Sequence, residues 1–296
     1  METQTALAPV NEKLARQIEE LVLKRIAQDS LTLPTMPAVA IKCIEVLRRP
    51  EFSFKEAASI LEQDPVLAAR VLRTATSAAF SGGSQTHSLT EALTRIGAKT
   101  AKAVLVEASA AKVFVSRNPQ IAEATKRVWQ HSVAVGMLAR DISALTGGTD
   151  SDAAYLAGLL HDVGKPVVAA ILLEAERQIV ELHSKPWIGS AEWLLVIRST
   201  HRKVGVALTE KWGLPPALCK SIKDCSEYDP GNRSSISNAV CFANALAKQV
   251  GIAPDESDID DARALVMIGR SVLGADEAVI NPLVAGLKTK LERLYK

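Results

Sequence analysis

Residues 153–165 read Ala-Ala-Tyr-Leu-Ala-Gly-Leu-Leu-His-Asp-Val-Gly-Lys. The stretch from Ala153 to Leu160 is too apolar to face water and has the length of a buried helix. It delivers His161 and Asp162, two metal-ligand side chains in a row, into or beside a core. A bare carboxylate is costly there unless it is paired or bound to a cation. Gly164 can take the left-handed conformation that stops a helix. A His-Asp pair alone is a weak signal, so its surroundings have to carry the rest.

Working outward, nearly every segment reads as helix, and no stretch alternates apolar and polar residues with period two. Residues 11–28 place Leu14, Ile18, Leu21 and Ile26 near one stripe with charges opposite, a lead helix that docks on the domain or pairs with a partner. Leu33-Pro34-Thr35-Met36-Pro37 is a rigid opening for a helix that runs to Arg49-Pro50. Ser53 with Glu56, and Ser88 with Glu91, form capping boxes. Asp64-Pro65 gives an N-cap and a first-turn proline for a helix through Thr76. Residues 81–84 form a loop, Gly97 ends one helix, and the next covers about 99–114. Later helices are expected over 120–145, into His161, and over 166–182, 188–199, 201–212 (stopped by Gly213) and 234–250. Residues 258–295 read as two more, with Asn281-Pro282 opening the second. The fold class is all-α: a compact multi-helix domain over 30–250, with a lead helix and tail over 1–29 and a helical extension over 251–296.

Several polar residues lie on the apolar stripes of these helices. His131 shares its stripe with Val128, Val135, Leu138 and Ile142. His201 opens its helix in line with Gly205, Leu208 and Trp212, and Asn244 sits beside Val240 and Ala247. Four helices thus bring His131, His161-Asp162, His201 and Asn244 toward one core. His nitrogen and Asp oxygen suit divalent transition metals, and helical bundles build such sites from inward side chains on facing helices. A core histidine is also often a plain hydrogen-bonding group. That is the favoured reading for His201 and an even alternative for His131, whereas His161 with Asp162 favours a functional or relict site. For Asn244 a structural hydrogen bond is the default.

Composition sets the bounds. The 296-residue chain is 48% hydrophobic with a net charge of +2, enough for a real core and unlike a disordered tail. A pI near 8.3 with scattered Lys and Arg does not argue for nucleic acid. No apolar run approaches the roughly 18–20 residues that span a membrane, and residues 1–11 lack a signal-peptide pattern. The four cysteines, Cys43, Cys219, Cys225 and Cys241, show no CxxC spacing. They read as buried thiols of a cytoplasmic protein, with zinc on Cys219 and Cys225 as an alternative.

The order His131, His161-Asp162, then Asn244 on a late helix resembles the HD superfamily of metal-dependent phosphohydrolases. The first half is similar to the HDOD domain, the HD-related output domain of bacterial signalling. It matches at Leu33-Pro34, Pro37, Asp64-Pro65, Ala75 to Phe80 and Ala92 to Gly97. The second half matches at Trp129-Gln130-His131-Ser132, Ala157 to Lys165, Glu192, His201 with Gly205, and Trp212-Gly213-Leu214-Pro215. The resemblance covers roughly residues 30–250. It implies His131, His161 and Asp162 as metal ligands, with His201 an outlying fourth. It would make Asp162 and Lys165 the catalytic candidates of an enzyme, Lys165 offering charge to a phosphate.

The departures matter for function. Where an active HD enzyme would carry Asp on the late helix, this chain has Asn244, a poorer ligand. The stretch Ser221 to Cys225 lacks the histidines that relatives often carry. No Gly-Tyr-Pro phrase follows His161-Asp162, so the cyclic-di-GMP phosphodiesterase subclass is not expected. The resemblance therefore implies a non-catalytic signalling module that needs no cofactor. Its partners would be other signalling proteins, such as a histidine kinase, a response regulator or a cyclic-di-GMP enzyme, with homo-oligomerisation open and neither membrane nor nucleic acid involved. One alternative is a metal-dependent phosphohydrolase on a nucleotide or phosphoester, using iron, manganese, zinc or nickel. Another is a nucleotide sensor without turnover.

Overall fold

The computed structural model describes residues 12–294 apart from residue 29 and residues 31–32, 81–85, 87, 149, 184–189 and 255–258. The loop expected over 81–84 therefore lies outside the described residues. Among the described residues there are thirteen helices and no strand: α1 (Glu12–Ala27), α2 (Ala38–Val46), α3 (Phe54–Leu61), α4 (Pro65–Ala75), α5 (Leu89–Val113), α6 (Pro119–Leu145), α7 (Ser151–Leu160), α8 (Gly164–His183), α9 (Ser190–Lys211), α10 (Pro216–Asp224), α11 (Ile236–Gln249), α12 (Ile259–Leu273) and α13 (Glu277–Leu294).

Local chemistry sets many of the boundaries. Ser53 Oγ accepts from the Glu56 N–H, Asp64 from Val66 and Leu67, and Ser88 from Glu91, so three expected N-caps form. Gly97, with φ 77°, breaks α5 into two helical stretches, which is the stop and restart the sequence suggested. Three expectations fail. Residues 188–199 and 201–212 are not two helices: α9 runs unbroken through Ser199-Thr200-His201, with the Thr200 hydroxyl donating back to the Val196 carbonyl at 2.6 Å. That bond satisfies the polar side chain within its own helix. α9 ends at Lys211 just before Gly213, which has φ 64°, and Pro216 opens α10 from the first helical position. Asn281-Pro282 does not open α13, which begins at Glu277 and holds Pro282 inside. Gly164 has no positive φ and opens α8.

α1 lies against α9. It buries Val22, while Leu21 is 45% exposed; the side chains of Leu14, Ile18 and Ile26, the rest of the expected stripe, lie outside the described residues. α2–α5 form one group, α6–α11 another, and α5 also packs on α7. The two groups are latched at motifs far apart in sequence. Trp212 Nε1 donates to the Pro34 carbonyl at 2.9 Å, and Arg48 donates to the Gly213 carbonyl at 2.7 Å. α12 rests on α11 and α13 on α6. The stretch Ser151–Arg177 is long and apolar enough to cross a membrane, contrary to the sequence expectation, but most of it is buried inside this fold.

The α6–α7 crossing decides where the His161 turn sits. Gly136 and Gly158 meet face to face, and a Cβ on Gly158 would lie 2.8 Å from Gly136 Cα and 2.9 Å from the Val135 carbonyl. Gly158→Ala should cost about 1–3 kcal/mol, because both contacts are backbone and cannot yield. Urea unfolding of the two proteins measures this, and equal midpoints would contradict the close crossing.

Candidate metal centre

His131 on α6, His161 and Asp162 in the α7–α8 turn, Lys165 in the first turn of α8 and His201 on α9 converge. His131, His161 and Asp162 are 1–2% exposed and His201 is 7% exposed. His131 is framed by Val128, Val135, Leu138 and Ile142, all buried, as its stripe predicted. The ligand atoms of His131, His161 and Asp162 all lie within 4.8 Å of one another. Asp162 Oδ2 is 3.4 Å from His161 Nε2 and 3.9 Å from His131 Nε2, and Oδ1 is 3.4 Å from His201 Nε2. His201 faces the second oxygen of the same carboxylate and stays outside the group of converging ligand atoms.

Each imidazole is oriented by the backbone. His131 Nδ1 is 2.7 Å from the Ile252 carbonyl, and His161 Nδ1 is 2.7 Å from the Gly158 carbonyl. His201 Nδ1 is 2.9 Å from the Ile197 carbonyl and 3.0 Å from that of Arg198. A carbonyl only accepts, so each Nδ1 carries the proton and each Nε2 presents a lone pair to the cluster. Burial, against the pull of Asp162, lowers His131 and His201 to about 4 and His161 to about 3. All three are neutral at neutral pH. Burial works to raise the Asp162 carboxyl, yet His161 and Lys165, then His201 and His131, hold it well below the ordinary range. With the imidazoles uncharged, the Lys165 ammonium, 2.7 Å from Oδ2, is the formal cation. Its angles fall short of a hydrogen bond, and His161 Nε2 and Asp162 Oδ2 are both left without one.

Asn244 on α11 completes the arrangement, its amide oxygen placed 3.1 Å from His131 Nε2. That nitrogen carries a lone pair, and two acceptors repel. With no cation between them the amide turns to present its NH₂, since oxygen and nitrogen of a carboxamide exchange by a half-turn.

The donor set fits a divalent cation. Two neutral imidazole nitrogens and one carboxylate oxygen converge, with two of the three atoms making no hydrogen bond, and His131, His161 and Asp162 would hold the ion. Such an ion lowers the pKa of a bound water and neutralises phosphate oxygens. Among the described residues the one group of three or more converging ligand side chains is His131, His161 and Asp162, without Cys219 or Cys225; each of these thiols faces a main-chain carbonyl of its own segment, and burial pushes Cys225 up to about 12.

The sequence pattern did not disclose Ile252, whose carbonyl fixes His131 from the turn after α11, because a carbonyl has no residue signature. It also missed that Lys165 is only 17% exposed and is ion-paired to Asp162. The side chain of Glu192 lies outside the described residues.

The fold is an all-α bundle with a His/Asp cluster at the turn between α7 and α8. The HDOD domain family matches residues 33–228, most of the chain, and the chain belongs to that family. Among solved structures, a proposed metal-dependent phosphohydrolase from Shewanella amazonensis SB2B superposes with TM-score 0.70 at 22% identity, covering 94% of this chain and 99% of that one. An HDOD domain protein of unknown function from Geobacter sulfurreducens gives TM-score 0.59 at 23% identity, covering 90% and 96%. A proposed signal transduction protein from Marinobacter aquaeolei VT8 gives 0.53 at 19%, covering 98% and 69%. An uncharacterized protein of Treponema pallidum (strain Nichols) is 22% identical over 242 residues, 80% of this chain and 46% of that protein, so the chain spans about half the length of this curated relative.

Proposed function

We propose that the chain is a non-catalytic HDOD signalling module acting through protein–protein contacts, its His/Asp cluster kept as a structural centre. The observation that carries this reading is access. A phosphoester must reach the ion and its water, but His131, His161 and Asp162 are 1–2% exposed, and of the cluster only Lys165 lines the adjoining cavity. Lys165 already neutralises Asp162, and Asn244 stands where an acid would complete a ligand set. Output then passes to another signalling protein, for instance a histidine kinase, a response regulator or a cyclic-di-GMP enzyme. The flanking helices leave apolar groups outside the core for such docking: Leu21 on α1 at 45% exposure, and Met267 and Ile268 on α12 at 71% and 47%.

The convergence of the His131, His161 and Asp162 ligand atoms supports a second reading, a metal-dependent phosphohydrolase of the kind proposed for the Shewanella relative. Incubating the protein with iron, manganese, zinc or nickel, measuring bound metal, and assaying bis(p-nitrophenyl) phosphate and p-nitrophenyl phosphate separates the two. The expected result is no turnover above buffer, whatever the metal content. Turnover that tracks metal content and vanishes in Asp162→Asn would sink the non-catalytic reading.

A further inference from the structure

The two helix groups do not meet flush. Away from the His/Asp cluster, a cleft of about 340 Å³ lies between them, with α2 and α5 on one side and α7, α10 and the start of α11 on the other. Its size is at the lower end of the roughly 300–1,000 Å³ of small-molecule sites. Ile44, Val106, Leu156, Leu214 and Leu218 give it apolar wall. Arg48, Lys99, Lys102, Asp150 and Asp152 line the same space, and their partners sort them. Asp150 is 2.8 Å from the Lys99 ammonium and accepts the Ala153 N–H at 2.9 Å. Asp152 is 3.2 Å from Arg140 and 3.9 Å from Lys99. Both carboxylates thus face cations of the protein. Lys102 is half-buried and makes no ion pair or hydrogen bond among the described residues. The Arg48 guanidinium meets a neutral acceptor, the Gly213 carbonyl at 2.7 Å. We propose that this cleft binds a small organic anion, a carboxylate on a compact apolar body, with its head toward Lys102 and Arg48 and its body against Ile44, Val106 and Leu156.

The choice of an anion rests on Lys102. A half-buried ammonium beside apolar walls gives up part of its water with no protein group replacing it, and a carboxylate head supplies that group. A cationic ligand would find Asp150 and Asp152 already facing Lys99 and Arg140. The position of the cleft gives binding a consequence. Lys102 belongs to α5, Leu156 to α7 and Leu218 to α10, and Arg48 is one of the two latches between the groups. A ligand lodged there touches both groups at once. It binds the assembled chain and not the unfolded one, so it raises stability by mass action. The inference gives the signalling module a small-molecule input. It does not rest on the signalling reading or on any turnover at the His/Asp cluster.

Isothermal titration of the full chain with 4-phenylbutyrate tests it, with 4-phenylbutan-1-ol and 4-phenylbutylamine as the neutral and cationic twins. The carboxylate should bind one to one, about tenfold or more tighter than the alcohol, and should raise the melting temperature at saturation. Lys102→Met keeps the length of the side chain and breaks no ion pair or hydrogen bond, and it should erase the preference over the alcohol. Ala217→Trp, at an exposed position lining the cleft, should fill it and abolish binding while the ligand-free melting temperature stays that of the parent. No binding of the carboxylate, equal affinity for the alcohol, preference for the amine, or carboxylate affinity unchanged in Lys102→Met or in Ala217→Trp would each overturn the proposal.

Discussion

Gly164→Ala should destabilise the protein by about 3 kcal/mol or more, the largest expected effect of any single methyl group added to this fold. A Cβ at this position would overlap the His201 carbonyl oxygen and come within 2.8 Å of the Gly205 nitrogen and of the His201 carbonyl carbon. All three atoms are backbone, so no side chain can swing away. Relief requires α8 and α9 to part, and that separates Asp162 from His201, whose facing atoms are 3.4 Å apart. The melting temperature should fall by roughly 6–12 °C for a protein of this size. Gly205→Ala is the control across the same crossing. Its Cβ would meet nothing closer than 3.5 Å, and alanine gains about 1 kcal/mol over glycine inside a helix. Gly205→Ala should therefore be neutral or stabilising. Similar melting temperatures for the two variants would contradict the close α8–α9 contact.

Gly164 also shows what a sequence reading does and does not reach. Its presence after His161-Asp162 marks a constraint, but a glycine reads equally as a left-handed stop or as a missing Cβ at a close crossing. Only the position of α9 decides between them. Asp64-Pro65, Ser53 and Ser88 were legible because an N-cap is a bond within four residues of itself. His131 and His161 were legible because polar groups on apolar stripes must converge somewhere. The facing of His201 toward Asp162 was not legible because its register depended on α9 being continuous. The sequence Ser-Thr-His looks like a break until Thr200 is seen returning its hydroxyl to Val196. Pro282 misled, because it lies inside α13 and does not open it. The Ile252 carbonyl has no residue signature and meets His131 only once α6 and the turn after α11 are assembled, whereas the Lys165–Asp162 pair is local, three residues apart.

The cluster should make folding stability depend steeply on pH on the acid side of neutrality. The three imidazoles sit at about 4, 3 and 4 in the folded chain, against an ordinary value of 6.5. A histidine depressed in the folded state favours its neutral form there. Its contribution is fully present above 6.5 and is lost as pH falls toward the folded value, because the unfolded chain takes up protons that the folded chain refuses. Each imidazole contributes up to about 1.4 kcal/mol per pH unit, so three acting together give roughly 4 kcal/mol per unit. Against a total stability of about 5–15 kcal/mol, that is enough to unfold the protein within a few pH units of neutrality. Chemical denaturation from pH 7.5 to 5.5 isolates the effect, since ordinary carboxylates titrate near 4 and stay ionised throughout. His201→Gln should flatten the slope by about a third, because the carboxamide occupies the ring's place without titrating and can donate to Asp162 Oδ1. A flat profile in the parent protein, or an unchanged slope in His201→Gln, would mean that these rings are charged in the folded state and that the lone pairs do not converge on Asp162.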